Sequence, residues 1–146
     1  WASLLVLFVF DLKHYIIPNK VLYPLILVVA AHAFFGSGFM VTPYAIASAL
    51  GASGFFLVQY LVSRGRWIGF GDVKFGIFMG LFLGFPLILV AFFFSYLIGA
   101  VIGSIMLMRH FKTLQSEIPF GPFLVLGIFI AYFYGNSIIS WYLNIF

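Results

Sequence analysis

Asp72 stands in the stretch GFGDVKF, residues 69–75, flanked by two glycines and leading into a strongly apolar run. Asp11 closes another apolar run, LLVLFVF. With Glu117 they are the three acidic residues of a 146-residue chain. An aspartate at the centre of a membrane helix costs about 2.5–3.5 kcal/mol on insertion scales, and less near the interface. Two aspartates at the ends of apolar runs therefore need a reason. If the fold brings them together, like-charge repulsion raises one pKa and the pair holds one proton between them. Such a pair suits peptide hydrolysis. The ionised carboxylate takes a proton from a bridging water, and the protonated one donates to the scissile carbonyl. Gly69 and Gly71 would let an extended substrate backbone approach without a Cβ in the way.

A purely structural reading competes on spacing alone. Asp72 could cap a helix by accepting backbone N–H bonds, an interaction of about 1 kcal/mol. Asp11 could pair with Lys13 or Lys20. Other chemistries are poorly supplied. His14, His32 and His110 are spread over different spans, against a three-histidine metal site. No spacing sets Ser63, Ser95, Ser104 or Ser116 beside a histidine, and intramembrane serines usually serve packing or hydrogen bonding. There is no P-loop or dinucleotide fingerprint. The absence of cysteine excludes disulfides and thiolate metal sites.

The elements that must position the aspartates are set by composition. Hydrophobic residues make up 65% of the chain and charged residues 7%, where a soluble domain has about a quarter charged. The solvent for most side chains must be lipid, so the expected fold is all-α, a polytopic transmembrane bundle of about six spans forming a single domain over 1–146. The spans are expected at residues 1–10 (extending toward Ile17), 21–35, 43–62, 73–84, 86–108 and 120–135, with an interfacial tail SWYLNIF. A start at Trp1 within an apolar run suggests that upstream sequence has been removed. The net charge of +4 comes from cations too scattered for a nucleic-acid surface.

Those cations are sorted. Lys13, Lys20, Arg64, Arg66, Lys74, Arg109 and Lys112 all fall in the loops after spans one, three and five, whereas GSGFMVT and GFP carry no charge. The positive-inside rule makes the charged side cytoplasmic, in an inner cell membrane, and all three acids lie there too.

GFGDVKF resembles the GxGD(V/I)K segment of the type IV prepilin peptidases, aspartic proteases that remove leader peptides from pilin-like precursors. Two further segments accompany it in order. DLKHYIIPN resembles the family's earlier aspartate followed by Ile/Leu-Pro-Asn/Asp, and EIPFGPFLVLG resembles its late Ile-Pro-Phe-Gly-Pro-Phe segment. The resemblance covers nearly the whole chain. It implies that Asp11 and Asp72 are the catalytic pair, supported by Gly69, Gly71, Lys74, Pro18, Asn19, Pro119 and Gly121. It implies no cofactor, and as partners a prepilin or pseudopilin precursor from a pilus, type II secretion or competence system. A glycine is expected on the leader side of the cut. Many bacterial members carry a zinc-binding domain with paired cysteines and also N-methylate the mature pilin. This chain has no cysteine, so methyl transfer is not expected of it. Presenilin-like proteases share GxGD, but Phe10 precedes Asp11 where they have a tyrosine, and their Pro-Ala-Leu segment is missing. A small transporter would need mid-span acids, and a structural subunit of a secretion assembly would tolerate loss of both aspartates.

Overall fold

The computed structural model describes residues 1–14, 17–36, 42–108 and 119–145. Within them the chain forms six α-helices and no strand: α1 (Ala2–His14), α2 (Asn19–Ala31), α3 (Thr42–Ser63), α4 (Phe70–Leu83), α5 (Leu87–Met108) and α6 (Gly121–Leu143). A π-helical turn, His32–Gly36, prolongs α2. The all-α expectation holds. Arg109, His110, Lys112, Ser116, Glu117 and most of the uncharged turn GSGFMVT lie outside the described residues.

Three of these helices, over Pro43–Ser63, Leu87–Met106 and Gly121–Leu143, are long and apolar enough to cross a membrane. The others are shorter. With 14 residues α4 extends about 21 Å, against a hydrocarbon core of about 30 Å. Large apolar side chains such as Leu50, Leu61, Val62, Phe93 and Val101 face outward from α3 and α5, the surface expected of helices solvated by lipid.

Two boundaries differ from the sequence reading. Helix α4 begins at Phe70, so Asp72 is in its first turn rather than ahead of it. Helix α6 runs on to Leu143, past the expected stop at Gly135. No proline or cap follows Gly135, and that residue instead receives Leu87 of α5. A glycine without such signals is tolerated inside an apolar helix.

Helix α4 is apolar on all sides and correspondingly buried, with Val73, Phe75, Phe78, Met79 and Leu83 in the core. It packs chiefly on α3 and also on α2, while α5 packs on α6 and α1 on α6. Gly76 and Gly80 of α4 face Ala49 and Ala52 of α3, where a Cβ would not fit. Small residues at this spacing let two backbones approach closely, the usual way helices associate in lipid. The tight seam fixes the N-terminal end of α4, and with it Asp72, against its neighbours.

Candidate active site

At one end of the bundle an open cavity of about 730 Å³ is lined by both Asp11 and Asp72. Asp11 arrives on the last turn of α1 and Asp72 on the first turn of α4. Their separation in sequence gives no hint of this meeting; it depends on α1 packing against α6 and α4 against α3. Each aspartate is almost wholly buried, with 5% and 6% of its surface exposed.

The two carboxylates are held differently. Gly69 is the N-cap of α4, and its N–H donates to Asp72 Oδ2 at 3.0 Å. The capping contact considered from the sequence therefore exists, and the same carboxylate also faces the cavity. Asp11 meets the start of α6 instead, where the Gly121 N–H donates to it. Neither Lys13 nor Lys20 pairs with Asp11; both side chains are exposed, and burial and Gly121 dominate its surroundings.

Neither α1 nor α4 is among the helices long enough to cross a membrane, and each aspartate stands at the polar end of its helix. Burial pushes the Asp72 carboxyl up to about 7; the Gly69 N–H opposes this, and the charge on Asp11 adds to it. Burial likewise raises Asp11 above the usual carboxylate range, with the Gly121 N–H working against the rise. Near neutral pH such a pair retains a proton on one member while the other is charged. It can thus offer a general base and a general acid to the same water and carbonyl.

The remaining motif residues build the surroundings. Gly69, Gly71, Lys74, Asn19 and Pro119 line the cavity with the aspartates. Pro18 does not. It precedes the first turn of α2, and its carbonyl accepts the Val21 and Leu22 N–H groups. This start sets Asn19 so that its Oδ1 accepts from Lys74 Nζ at 3.1 Å, and the ammonium lies 5.3 Å from the ring centres of Tyr23 and of Phe70. The early and middle motifs are therefore clasped to each other.

The glycines divide in role. A Cβ on Gly71 would lie 3.2 Å from Ile17 Cβ, so its bareness admits the chain's own Ile17. A Cβ on Gly69 would meet Asp72 Oδ2 at 3.7 Å and the Gly71 nitrogen at 3.9 Å, both ordinary contacts, which leaves space for a substrate backbone. Gly121 does not line the cavity, but a Cβ there would lie 2.5 Å from Asp11 Oδ2.

Of the alternative chemistries, Ser63 and Ser95 donate to carbonyls of their own helix, Tyr60 O and Ala91 O. Among the described residues no three His, Cys, Asp or Glu side chains gather. Sequence reasoning missed Tyr96, Trp67, Ile68, Phe120 and Phe123 in the cavity wall. Phe120 and Phe123 stand in the late motif EIPFGPFLVLG, and Tyr96 is a hydroxyl inside the apolar run FFFSYLIGA.

The model of the Type IV leader peptidase family matches residues 1–104, which include both aspartates. A Prepilin leader peptidase/N-methyltransferase of Bacillus subtilis is 32% identical over 148 residues, covering 98% of this chain and 57% of the relative. One from Legionella pneumophila is 33% identical over 148 residues, covering 99% of this chain and 51% of the relative. One from Aeromonas salmonicida is 36% identical over 86 residues, covering 58% of this chain and 29% of the relative. The chain spans about half the length of the curated relatives it matches. No solved structure matches it significantly.

Proposed function

The chain belongs to the Type IV leader peptidase family, and from that premise we propose that it is a membrane aspartic endopeptidase removing the basic leader of prepilin-like precursors. Asp11 and Asp72 are its catalytic pair. One observation carries the reading: two buried aspartates from distant segments line one cavity, with Asp72 held near pKa 7.

The ionised partner takes a proton from a water molecule, whose oxygen adds to the scissile carbonyl. The protonated partner donates to the carbonyl oxygen, giving a neutral tetrahedral intermediate. Its collapse breaks the C–N bond: one hydroxyl of the intermediate gives its proton to the ionised carboxylate while the protonated carboxyl gives its own to the leaving amine, so the pair ends singly protonated. Gly69 admits the extended substrate backbone beside Asp72. Gly71, Pro18, Asn19 and Lys74 hold the α2 and α4 starts together, and Pro119 and Gly121 bring the α6 start to Asp11.

The cavity faces the cytoplasm in this reading. Its support is that the cation-bearing segments around Lys13, Arg66 and Lys74 border the cavity end, in keeping with the positive-inside rule. A precursor with its leader in the cytoplasm and its apolar helix in the bilayer would present the scissile bond at that level. A cysteine placed at position 37 of this cysteine-free chain should then label from outside intact cells, and labelling from the cytoplasm alone would reverse the orientation.

The test of function is co-expression with a candidate precursor, following leader loss. Asp11→Asn and Asp72→Asn should each abolish cleavage while leaving the protein in the membrane, since residues acting as a unit are each nearly indispensable. Substantial cleavage by either variant would remove that aspartate from the chemistry.

A further inference from the structure

Tyr96 places a hydroxyl-bearing side chain in the cavity wall that the two-carboxylate mechanism leaves unused. Its neighbour Ser95 is spoken for, donating to Ala91 O at 2.7 Å. The Tyr96 ring is fixed between helices, 5.0 Å from the Phe120 ring and 6.0 Å from that of Phe55. Its hydroxyl donates to Oε1 of Gln59 on α3 at 2.9 Å. The other end of that amide is unusual: Gln59 Nε2 is buried and has no hydrogen-bond partner among the described residues. An amide nitrogen carries two donors, and leaving both unmatched in an apolar interior is costly. The two ends of an amide have nearly the same shape. Turned by half a revolution, Gln59 offers Nε2 to the phenol oxygen and the Tyr96 proton is freed, while Oε1 takes over the position that has no partner. Tyr96 lines the same cavity as Asp72.

We propose that Tyr96 donates a hydrogen bond to the scissile carbonyl oxygen as negative charge develops on it, and that Gln59 is the positioning residue whose amide nitrogen holds the phenol oxygen. The inference rests on the aspartic peptidase reading above. A fixed donor needs no reorganisation during reaction, so it lowers the barrier more than it tightens substrate binding. The pair also ties α3 to α5.

The test uses the full chain purified in detergent with a precursor substrate, comparing wild type, Tyr96→Phe, Gln59→Leu, the double variant and Asp72→Asn. Tyr96→Phe keeps the ring and should lower kcat about tenfold or more, with KM within about twofold and an unchanged melting temperature. Gln59→Leu should lower kcat less, and the double variant should be no slower than Tyr96→Phe alone, because Gln59 acts through Tyr96. A Tyr96→Phe enzyme with wild-type kcat, or one whose loss lies in KM or follows a lowered melting temperature, overturns the inference. Asp72→Asn separates the two levels of the claim. If it cleaves like wild type, the peptidase reading itself fails; if it is inactive while Tyr96→Phe is not, only the role of Tyr96 falls.

Discussion

Asp11 and Asp72 share a cavity yet sit at opposite ends of their helices. Asp72 is in the first turn of α4, where the helix dipole and the Gly69 N–H favour its charge. Asp11 is in the last turn of α1, where its own helix presents carbonyls, and its donor comes from another element, the start of α6. Asp72 thus carries much of its environment with it in sequence, whereas Asp11 depends on tertiary packing. A short contiguous motif around Asp72 suffices, but Asp11 needs residues more than a hundred positions away.

The comparison predicts where damage is greatest. Gly121→Val should be the most severe of the glycine changes, because its side chain would enter the space occupied by the Asp11 carboxylate. Displacing a reacting group by about 1 Å can cost about 100-fold in rate, and a loss of that order is expected in a leader-cleavage assay. Near-normal activity would mean that α6 does not hold Asp11. Gly71→Ala should be intermediate, about tenfold at most, since Ile17 must give by only a few tenths of an ångström. Shortening the neighbour in Ile17→Val/Gly71→Ala should recover part of that loss; no recovery would show that the contact is not the cause. Gly69→Ala should be mildest in the free protein, with an unchanged melting temperature, because its Cβ meets no tight neighbour and its φ of −79° suits any residue. Any fall in cleavage there, of a few-fold, would report contact with the substrate backbone, and a fall in melting temperature instead would contradict it.

These contrasts also explain what could be read from the chain beforehand. Long apolar runs broken by charged loops are direct evidence of helices in lipid, so α3 and α5 appear close to their sequence-expected bounds. The end of α6 was hidden because Gly135 looks like a terminator until Leu87 is seen packed on it. Asp72 drew notice through its glycines. That Asp11 shares its cavity could not be derived from spacing; only the resemblance of three ordered segments implied it. Tyr96 was invisible as a candidate because one hydroxyl in an apolar helix reads as packing. Its interest comes from Gln59, which it meets, and from Asp72, whose cavity it shares.

Two carboxylates that hold one proton at neutral pH leave their mark on the pH dependence of kcat/KM. Asp72 is raised to about 7, so it keeps its proton below that pH and loses it above. Cleavage should therefore fall as pH rises through about 7, when the general acid is lost. It should fall again on the acid side, when the second carboxylate is protonated and the general base disappears. The two apparent pKa values belong to the pair as a unit. A bell-shaped profile with its alkaline limb near 7, measured on the purified enzyme with a precursor substrate, is the expected result. A profile that stays flat or keeps rising from pH 6 to 9 would contradict a proton-sharing pair.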